Sequence, residues 1–138
     1  MKNYRRRIMD TLLEKKLQAK GAVLIEGPKW CGKTTTAEEI ANSKIMLAKP
    51  DIKEHFKSLL EIDTDAALAG ETPMLIDEWQ TVPKLWDAVR YTVDHRHAMG
   101  QFILTGSAVP DKDAEKEREH SGTGRFAWLT MRPMTLFE

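Results

Sequence analysis

This sequence has little of several features that would assign it to a specialised class of protein. Its single cysteine, Cys31, excludes an internal disulfide and favours a reducing compartment, for which the cytoplasm is the simplest prediction. Its 21 basic and 21 acidic residues balance, which argues against a wholly basic nucleic-acid-binding domain. No apolar run approaches the length of a membrane-spanning helix, so no membrane partner is expected.

What is present is the composition of an ordinary globular chain. Apolar residues make up 41% and charged residues 30% of the 138 positions. That is enough apolar material for one packed core, and more than disordered chains contain. We therefore expect residues 1–138 to form a single domain.

Short apolar runs alternate with helical patterns along the chain. The predicted strands are Ala22–Glu26, Ile45–Ala48, Met74–Ile76, Phe102–Thr105 and Phe126–Met131. The predicted helices are 4–20, 33–41, a segment after Pro50 that Asp51 would cap, Asp65–Ala69, and a segment that begins near Pro83. Strands that alternate with helices predict an α/β fold with a parallel sheet covered on both faces.

A glycine-containing turn between the first strand and the next helix has a phosphate-binding pattern. Gly27, Gly32, Lys33 and Thr34 occupy the fixed positions of G-x-x-x-x-G-K-[ST]. The glycines let backbone N–H groups point at phosphate oxygens, and the helix that follows adds its N-terminal dipole. Lys33 can reach the β- and γ-phosphates, and the Thr34 hydroxyl can ligate Mg²⁺.

The alternative is a chance match in a turn, but a loop between a predicted strand and a predicted helix is the context that the motif requires. We therefore predict that this loop binds a nucleoside triphosphate, namely ATP with Mg²⁺. The residues assigned to nucleotide contact are Gly27, Pro28, Lys29, Trp30, Cys31, Gly32, Lys33, Thr34 and Thr35.

Two carboxylates end the third predicted strand. Asp77 is predicted to hold Mg²⁺, directly or through water, and Glu78 to polarise the attacking water. Ligands of open α/β sheets bind at this end of the strands. Many strands also end in acidic loops without any catalytic role. The phosphate loop about 45 residues upstream favours the catalytic interpretation.

Two further segments carry weaker signals. Ser107, which ends the segment Leu104–Ser107, could contact the γ-phosphate or the water, although Gly-Ser is also an ordinary turn after a strand. Arg125 follows a pair of glycines and could enter a phosphate site of its own chain or of a neighbouring subunit. A surface salt bridge is the alternative for Arg125.

With these segments in place, the chain resembles the AAA-type branch of P-loop ATPases. It looks closest to the prokaryotic ATPases whose core is usually followed by a C-terminal domain of unknown function. The resemblance covers nearly the whole chain and rests on Glu26–Thr35, Ile76–Gln80 with Val82-Pro83, Leu104–Ser107, and His120–Arg125 with Arg132–Met134. The first motif is shared by very many proteins, whereas the combination is much more specific.

The resemblance implies a three-layer α/β/α fold whose five-stranded parallel sheet has the order 5-1-4-3-2. It also implies ATP hydrolysis, with Lys33, Thr34, Asp77 and Glu78 in the roles given above.

Ser107 would match the family's sensor position, and Arg125 the arginine that reads the γ-phosphate. An arginine that acts on a neighbouring subunit would make the protein a homo-oligomer. Because family members continue into a further domain, we expect the chain to be the truncated N-terminal part of a longer protein. Hydrolysis would then be coupled to a conformational change in a partner or in that C-terminal domain.

Other functions use the same kind of loop. A small-molecule kinase needs an acceptor pocket and usually an arginine-bearing lid, whereas Asp77 and Glu78 suit the activation of water. A GTPase-like switch would want an N-K-x-D base-reading motif, which this sequence does not contain. A regulatory module that binds nucleotide without turnover stays open, as do the biological process and any protein or nucleic-acid partner.

Overall fold

The computed structural model of this chain describes residues 8–27, 33–106 and 125–130. Within these ranges the helices are α1 (Ile8–Ala19), α2 (Lys33–Ile40), α3 (Pro50–Ile62), α4 (Thr64–Ala67) and α5 (Leu85–Arg96). The strands are β1 (Ala22–Glu26), β2 (Ser43–Met46), β3 (Met74–Asp77), β4 (Phe102–Gly106) and β5 (Phe126–Thr130). A short 3₁₀ turn, Trp79–Thr81, lies between β3 and α5.

The described strands form one parallel sheet in the order β2-β3-β4-β1-β5. Counted from the other side this is 5-1-4-3-2, so the predicted topology is confirmed. Ala22 of β1 pairs with Phe102 on one side and with Phe126 on the other, which aligns the starts of three strands. The amino ends of the strands therefore share one edge of the sheet, and their carboxyl ends share the opposite edge.

Both faces of the sheet are covered. All five residues of β1 are buried, and successive side chains point to opposite faces. Ala22 and Leu24 belong to a core cluster that includes side chains of α3 and α5, whereas Val23 and Ile25 pack with side chains of α1 and α2. This arrangement confirms the three-layer α/β/α prediction and explains why the central strands are continuous apolar runs.

Aromatic rings connect the 3₁₀ turn after β3 to β5, the edge strand at the other end of the strand order. We call Trp79, Trp86, Phe126 and Trp128 the aromatic cluster. Trp86 of α5 stacks on Phe126 of β5 with 4.1 Å between ring centroids, and its centroid lies 5.4 Å from that of Trp79. Such pairs contribute roughly 0.5–1.5 kcal/mol beyond the area that they bury. The cluster therefore fixes the chain immediately after β3 against α5 and β5.

Some predicted boundaries differ from the observed ones. The second strand begins at Ser43 rather than Ile45 and ends at Met46, because its residues pair with β3 from Met74 onward. Asp51 does not cap α3. The helix begins at Pro50, two residues earlier than a cap at Asp51 would place it, and the missing N–H of proline is not needed in the first turn.

The other predicted elements agree with the structure in type. The side chain of Asp63 accepts a hydrogen bond from the Ala66 N–H at 3.2 Å and caps α4. Residues 4–7 of the first predicted helix and Met131 of the last predicted strand lie outside the described residues. None of the helices in the described ranges has the length and apolar character that crossing a bilayer requires.

Gly21 brings the start of β1 close to α5. Its carbonyl oxygen accepts hydrogen bonds from the N–H groups of Gln101 and Phe102, at 2.8 and 3.3 Å. A Cβ at this position would collide with Cγ1 of Val93 on α5. The packing of α5 against the amino edge of the sheet therefore requires a residue without a side chain.

We expect Gly21→Ala to lower the free energy of unfolding by about 1–3 kcal/mol, the usual cost of overpacking a core. Urea denaturation followed by far-ultraviolet circular dichroism measures this change. The double variant Gly21→Ala/Val93→Ala should lose less stability than the sum of the single losses, because the obstructing methyl group is gone. Strictly additive losses would contradict this account of the junction.

Candidate functional site

The predicted site residues within the described ranges gather, with one exception, at the carboxyl edge of the sheet. β1 ends at Glu26, directly before Gly27, and β3 ends at Asp77. In the register of the sheet Asp77 lies beside Thr105 of β4, and Glu26 lies beside Gly106. This is the edge at which open α/β sheets bind their ligands.

The carboxylate of Asp77 connects three elements. Its Oδ1 accepts a hydrogen bond from the Thr34 hydroxyl of α2 at 2.8 Å and another from the Thr105 hydroxyl of β4 at 2.6 Å. An ionised carboxylate only accepts hydrogen bonds, so both hydroxyls are the donors. Asp77 is buried, and a buried carboxylate is tolerated where such donors offset its lost hydration.

The structure describes both ends of the predicted phosphate loop. Gly27 is buried directly after β1, and α2 begins at Lys33. Thr34 is thus the second residue of the helix, and its bond to Asp77 fixes the start of α2 beside the end of β3. Thr35 is exposed. The loop residues from Pro28 to Gly32 lie outside the described residues.

The oxygen atoms at this edge are suited to a Mg²⁺ ion that is also coordinated by a phosphate group. Thr34 and Asp77 offer a hydroxyl and a carboxylate, and oxygen is the ligand that Mg²⁺ prefers. Within the described ranges no group of three or more His, Cys, Asp or Glu side chains is arranged to hold a metal. Mg²⁺ usually takes only one or two protein carboxylates, with phosphate and water completing its ligands.

Glu78 adopts an unusual backbone conformation at the end of β3. Its φ and ψ angles are 57° and 45°, in the left-handed region that non-glycine residues seldom occupy. Such a conformation costs about 1–3 kcal/mol and is concentrated at functional sites. The carbonyl oxygen of Glu78 accepts hydrogen bonds from the N–H and the hydroxyl of Thr81, at 3.2 and 2.9 Å.

The Glu78 side chain is also held. Its Oε2 accepts a hydrogen bond from Nε2 of Gln80 at 2.6 Å. The carboxylate is half-buried, whereas that of the preceding residue, Asp77, is buried. The two neighbouring acids therefore have different surroundings: Asp77 is enclosed by hydroxyls, and Glu78 remains accessible to water.

Arg125 is the exception, because it lies at the opposite edge of the sheet. It directly precedes Phe126, the first residue of β5, and its side chain forms an ion pair with Asp94 of α5. Five strand residues, at about 3.3 Å each, separate it from the carboxyl edge by roughly 15 Å. This placement does not support contact between Arg125 and a nucleotide bound to its own chain. Contact with the site of a neighbouring copy stays a prediction.

The ion pair shifts the pKa of both partners in the direction that favours their charged forms. The hydrogen bond from Arg125 lowers the pKa of Asp94, and the same bond raises the pKa of the guanidinium. Asp94 is exposed and Arg125 is half-buried, so the pair is the surface salt bridge that is the alternative interpretation of Arg125. Ser107, the predicted sensor, lies outside the described residues, directly after the end of β4.

The sequence prediction overlooked two residues at this edge, Thr105 and Gln80. A threonine directly after the apolar run Phe102–Leu104 of the same predicted strand is a usable signal, because a buried strand seldom carries a polar side chain without a partner. Gln80 ends Ile76–Gln80, one of the segments that carry the resemblance, but its contact with Glu78 depends on the 3₁₀ turn that follows β3.

Comparisons with known proteins found relatives of this chain. Residues 19–138 match the family described as AAA domain. Uncharacterized proteins of Mycobacterium tuberculosis and Mycobacterium bovis are each 31% identical over 107 residues, which is 77% of this chain and 24% of each relative. The chain thus spans about a quarter of the length of these curated relatives. Among solved structures, C. elegans PCH-2 matches 91% of this chain and 41% of its own, with a TM-score of 0.47 and 15% identity.

We expect Thr105→Val to lower the free energy of unfolding by about 1–3 kcal/mol, because the buried Asp77 carboxylate loses one of its two hydroxyl donors. Thr92→Val on α5 is the matched control. Thr92 is buried like Thr105, but its hydroxyl has no partner within the described residues. Its replacement should therefore be neutral or stabilising. Equal losses for the two variants in urea denaturation would contradict the role assigned to Thr105.

Proposed function

We propose that this chain binds ATP with Mg²⁺ and hydrolyses it to ADP and phosphate. The chain belongs to the AAA family of P-loop ATPase domains, which is the first support for this proposal. The observation that carries this proposal is the 2.8 Å hydrogen bond between Thr34 and Asp77. It brings the helix after the phosphate loop into contact with the acidic end of β3. Two residues 43 positions apart in the sequence thereby meet, and their oxygen atoms would form one set of ligands for Mg²⁺.

Each residue has a chemical role in this proposal. The phosphate loop from Gly27 to Thr35 would surround the phosphates with backbone N–H groups, and Lys33 would neutralise charge on the β- and γ-phosphates. Thr34 and Asp77 would hold Mg²⁺, whose positive charge, when bound, offsets the charge of the phosphate oxygens.

Hydrolysis also requires an activated water, and Glu78 is the acid positioned for that step. Its carboxylate would orient a water molecule at the carboxyl edge and accept a proton from it as the water oxygen bonds to the γ-phosphorus. The bond from that phosphorus to the β–γ bridging oxygen would break, and ADP would leave. The half-buried environment suits this role, because the carboxylate can contact solvent while the backbone N–H of Thr81 holds the turn through the Glu78 carbonyl. Ser107, directly after β4, would contact the γ-phosphate or this water.

The wider biological role is proposed on the same basis. We propose that hydrolysis drives a conformational change in a partner or in a C-terminal domain. The curated relatives, of whose length this chain covers 24%, are long enough to contain further domains. Arg125, at the far edge of the sheet, would read a nucleotide only across the interface of a homo-oligomer. The cytoplasm, where a single cysteine such as Cys31 stays reduced, is the proposed compartment.

The proposal is tested by measuring Mg²⁺-dependent ATP binding and phosphate release for the wild type, Lys33→Ala and Glu78→Gln. Lys33→Ala should weaken ATP binding by about tenfold or more, because a charge-assisted phosphate contact is lost. Glu78→Gln should bind ATP normally and hydrolyse it roughly 10²–10⁴-fold more slowly, the usual contribution of a general base.

Two exposed residues of α3 provide matched controls. Lys57→Ala and Glu54→Gln repeat the same chemical changes outside the site and should leave both measurements unchanged. Unchanged binding in Lys33→Ala would refute the nucleotide site. Binding without any phosphate release would favour a regulatory module, and transfer of phosphate to an added acceptor would favour a small-molecule kinase. Parallel measurements with GTP would show whether the site selects the base.

A further inference from the structure

We propose that Gln80 is a positioning residue that fixes the carboxylate of Glu78, and that residue 106 is glycine because the Gln80 side chain occupies the space beside it. This inference rests on the proposed hydrolytic function. It adds a residue to that site which neither the sequence motifs nor the comparisons assign.

The first observation is the bond between the two side chains. Nε2 of Gln80 donates to Oε2 of Glu78 at 2.6 Å. The carboxylate can only accept, so the amide must turn its NH₂ group toward Glu78 and its oxygen away. The bond engages one carboxylate oxygen, and the lone pairs of the other are not used by Gln80. A base held in this way keeps one orientation and can still take a proton from water.

The second observation concerns the other end of the amide. Oε1 of Gln80 is buried and has no hydrogen-bond partner in the described part of the chain. A buried acceptor without a partner opposes folding, so the bond on the Glu78 side must compensate for this orientation. Burying the unpaired Oε1 atom costs its hydration, which a solvent-facing rotamer of Gln80 would retain. A side chain with no role would be expected to adopt that rotamer.

The third observation is the fit against β4. A Cβ on Gly106 would collide with Oε1 of Gln80 and would lie 3.1 Å from both Cδ1 and Nε1 of Trp79. The Gln80 amide is therefore enclosed between the Glu78 carboxylate and the backbone at the end of β4. Trp79 belongs to the aromatic cluster, so the turn that carries Gln80 is itself anchored in the core.

These contacts define a short chain of interactions across the carboxyl edge, from the backbone of Gly106 through the Gln80 amide to the Glu78 carboxylate. A change at either end should displace the carboxylate without touching the Thr34–Asp77 pair that holds the start of α2. The expected consequence is a defect in turnover with little defect in nucleotide binding.

Gln80→Met tests the amide directly, because methionine has a similar length and no N–H donor. We expect kcat for Mg²⁺-ATP hydrolysis to fall about tenfold or more, since small misplacements of a reacting group have large effects on rate. The Kd for a non-hydrolysable ATP analogue should stay within about twofold, because Gln80 does not hold phosphate.

Thr81→Val is the matched control in the same turn. It removes the hydroxyl bond to the Glu78 backbone carbonyl and leaves the carboxylate and its amide partner in place. It should change neither kcat nor Kd appreciably. A loss in Thr81→Val equal to that in Gln80→Met would mean that the turn as a whole, and not the amide, supports activity, and would overturn the inference.

A double-mutant cycle tests the link to β4. Gly106→Ala alone should lower kcat, because the new methyl group displaces Gln80. In a Gln80→Ala background the same change should have little further effect on kcat, because the displaced group is absent. Independent, multiplicative effects of the two changes would refute the link. If Gly106→Ala does not fold, Gln80→Met and its control still decide the role of the amide.

Glu78→Gln, measured in parallel, separates the two levels of the proposal. Undiminished hydrolysis by Glu78→Gln, or no hydrolysis by the wild type, would refute the proposed function, on which the inference rests. A large loss in Glu78→Gln together with wild-type or raised kcat in Gln80→Met would refute the positioning role alone.

Discussion

The carboxylate of Asp77 is the point on which the geometry of this edge depends. It is buried at the end of a central strand, where an ionised group is tolerated only if donors replace its hydration. Hydroxyls from α2 and β4 supply those donors at 2.8 and 2.6 Å. One charged atom, Oδ1, therefore ties the helix after the phosphate loop to two adjacent strands. The same requirement that makes the carboxylate tolerable brings a hydroxyl and a carboxylate together at the carboxyl edge, where the Mg²⁺ site is proposed.

Those features that follow from local patterns could be predicted from the sequence. Continuous apolar runs such as Ala22–Glu26 occur where a parallel strand is covered on both faces, and β1 is buried throughout. The order of the strands came from the resemblance to P-loop ATPases and agrees with the sheet. Asp77 could be placed at the carboxyl edge because it ends its strand, and in a parallel sheet all such ends meet at one edge.

Contacts that depend on register or on turn geometry could not be predicted in the same way. The bond between Thr105 and Asp77 joins residues 28 apart and exists because their strands pair in one register. The contact of Gln80 with Glu78 depends on a left-handed residue followed by a 3₁₀ turn, and neither has a reliable sequence signal. Arg125 is different. It precedes a predicted strand, so the polarity of that strand already places it at the amino edge, away from the phosphate loop.

The two neighbouring acidic residues at the end of β3 have different surroundings and different side-chain directions. Asp77 faces inward and is fixed by hydroxyls of the sheet and of α2. The Glu78 side chain points in a different direction from the Asp77 side chain. The left-handed backbone of Glu78 provides this direction at a cost of about 1–3 kcal/mol. That cost is offset where Trp79, the next residue, packs in the aromatic cluster with Trp86. The layer of α5, on one face of the sheet, therefore stabilises the orientation of a carboxylate at its edge. Core packing and the geometry of the proposed reaction are, in this chain, properties of the same turn.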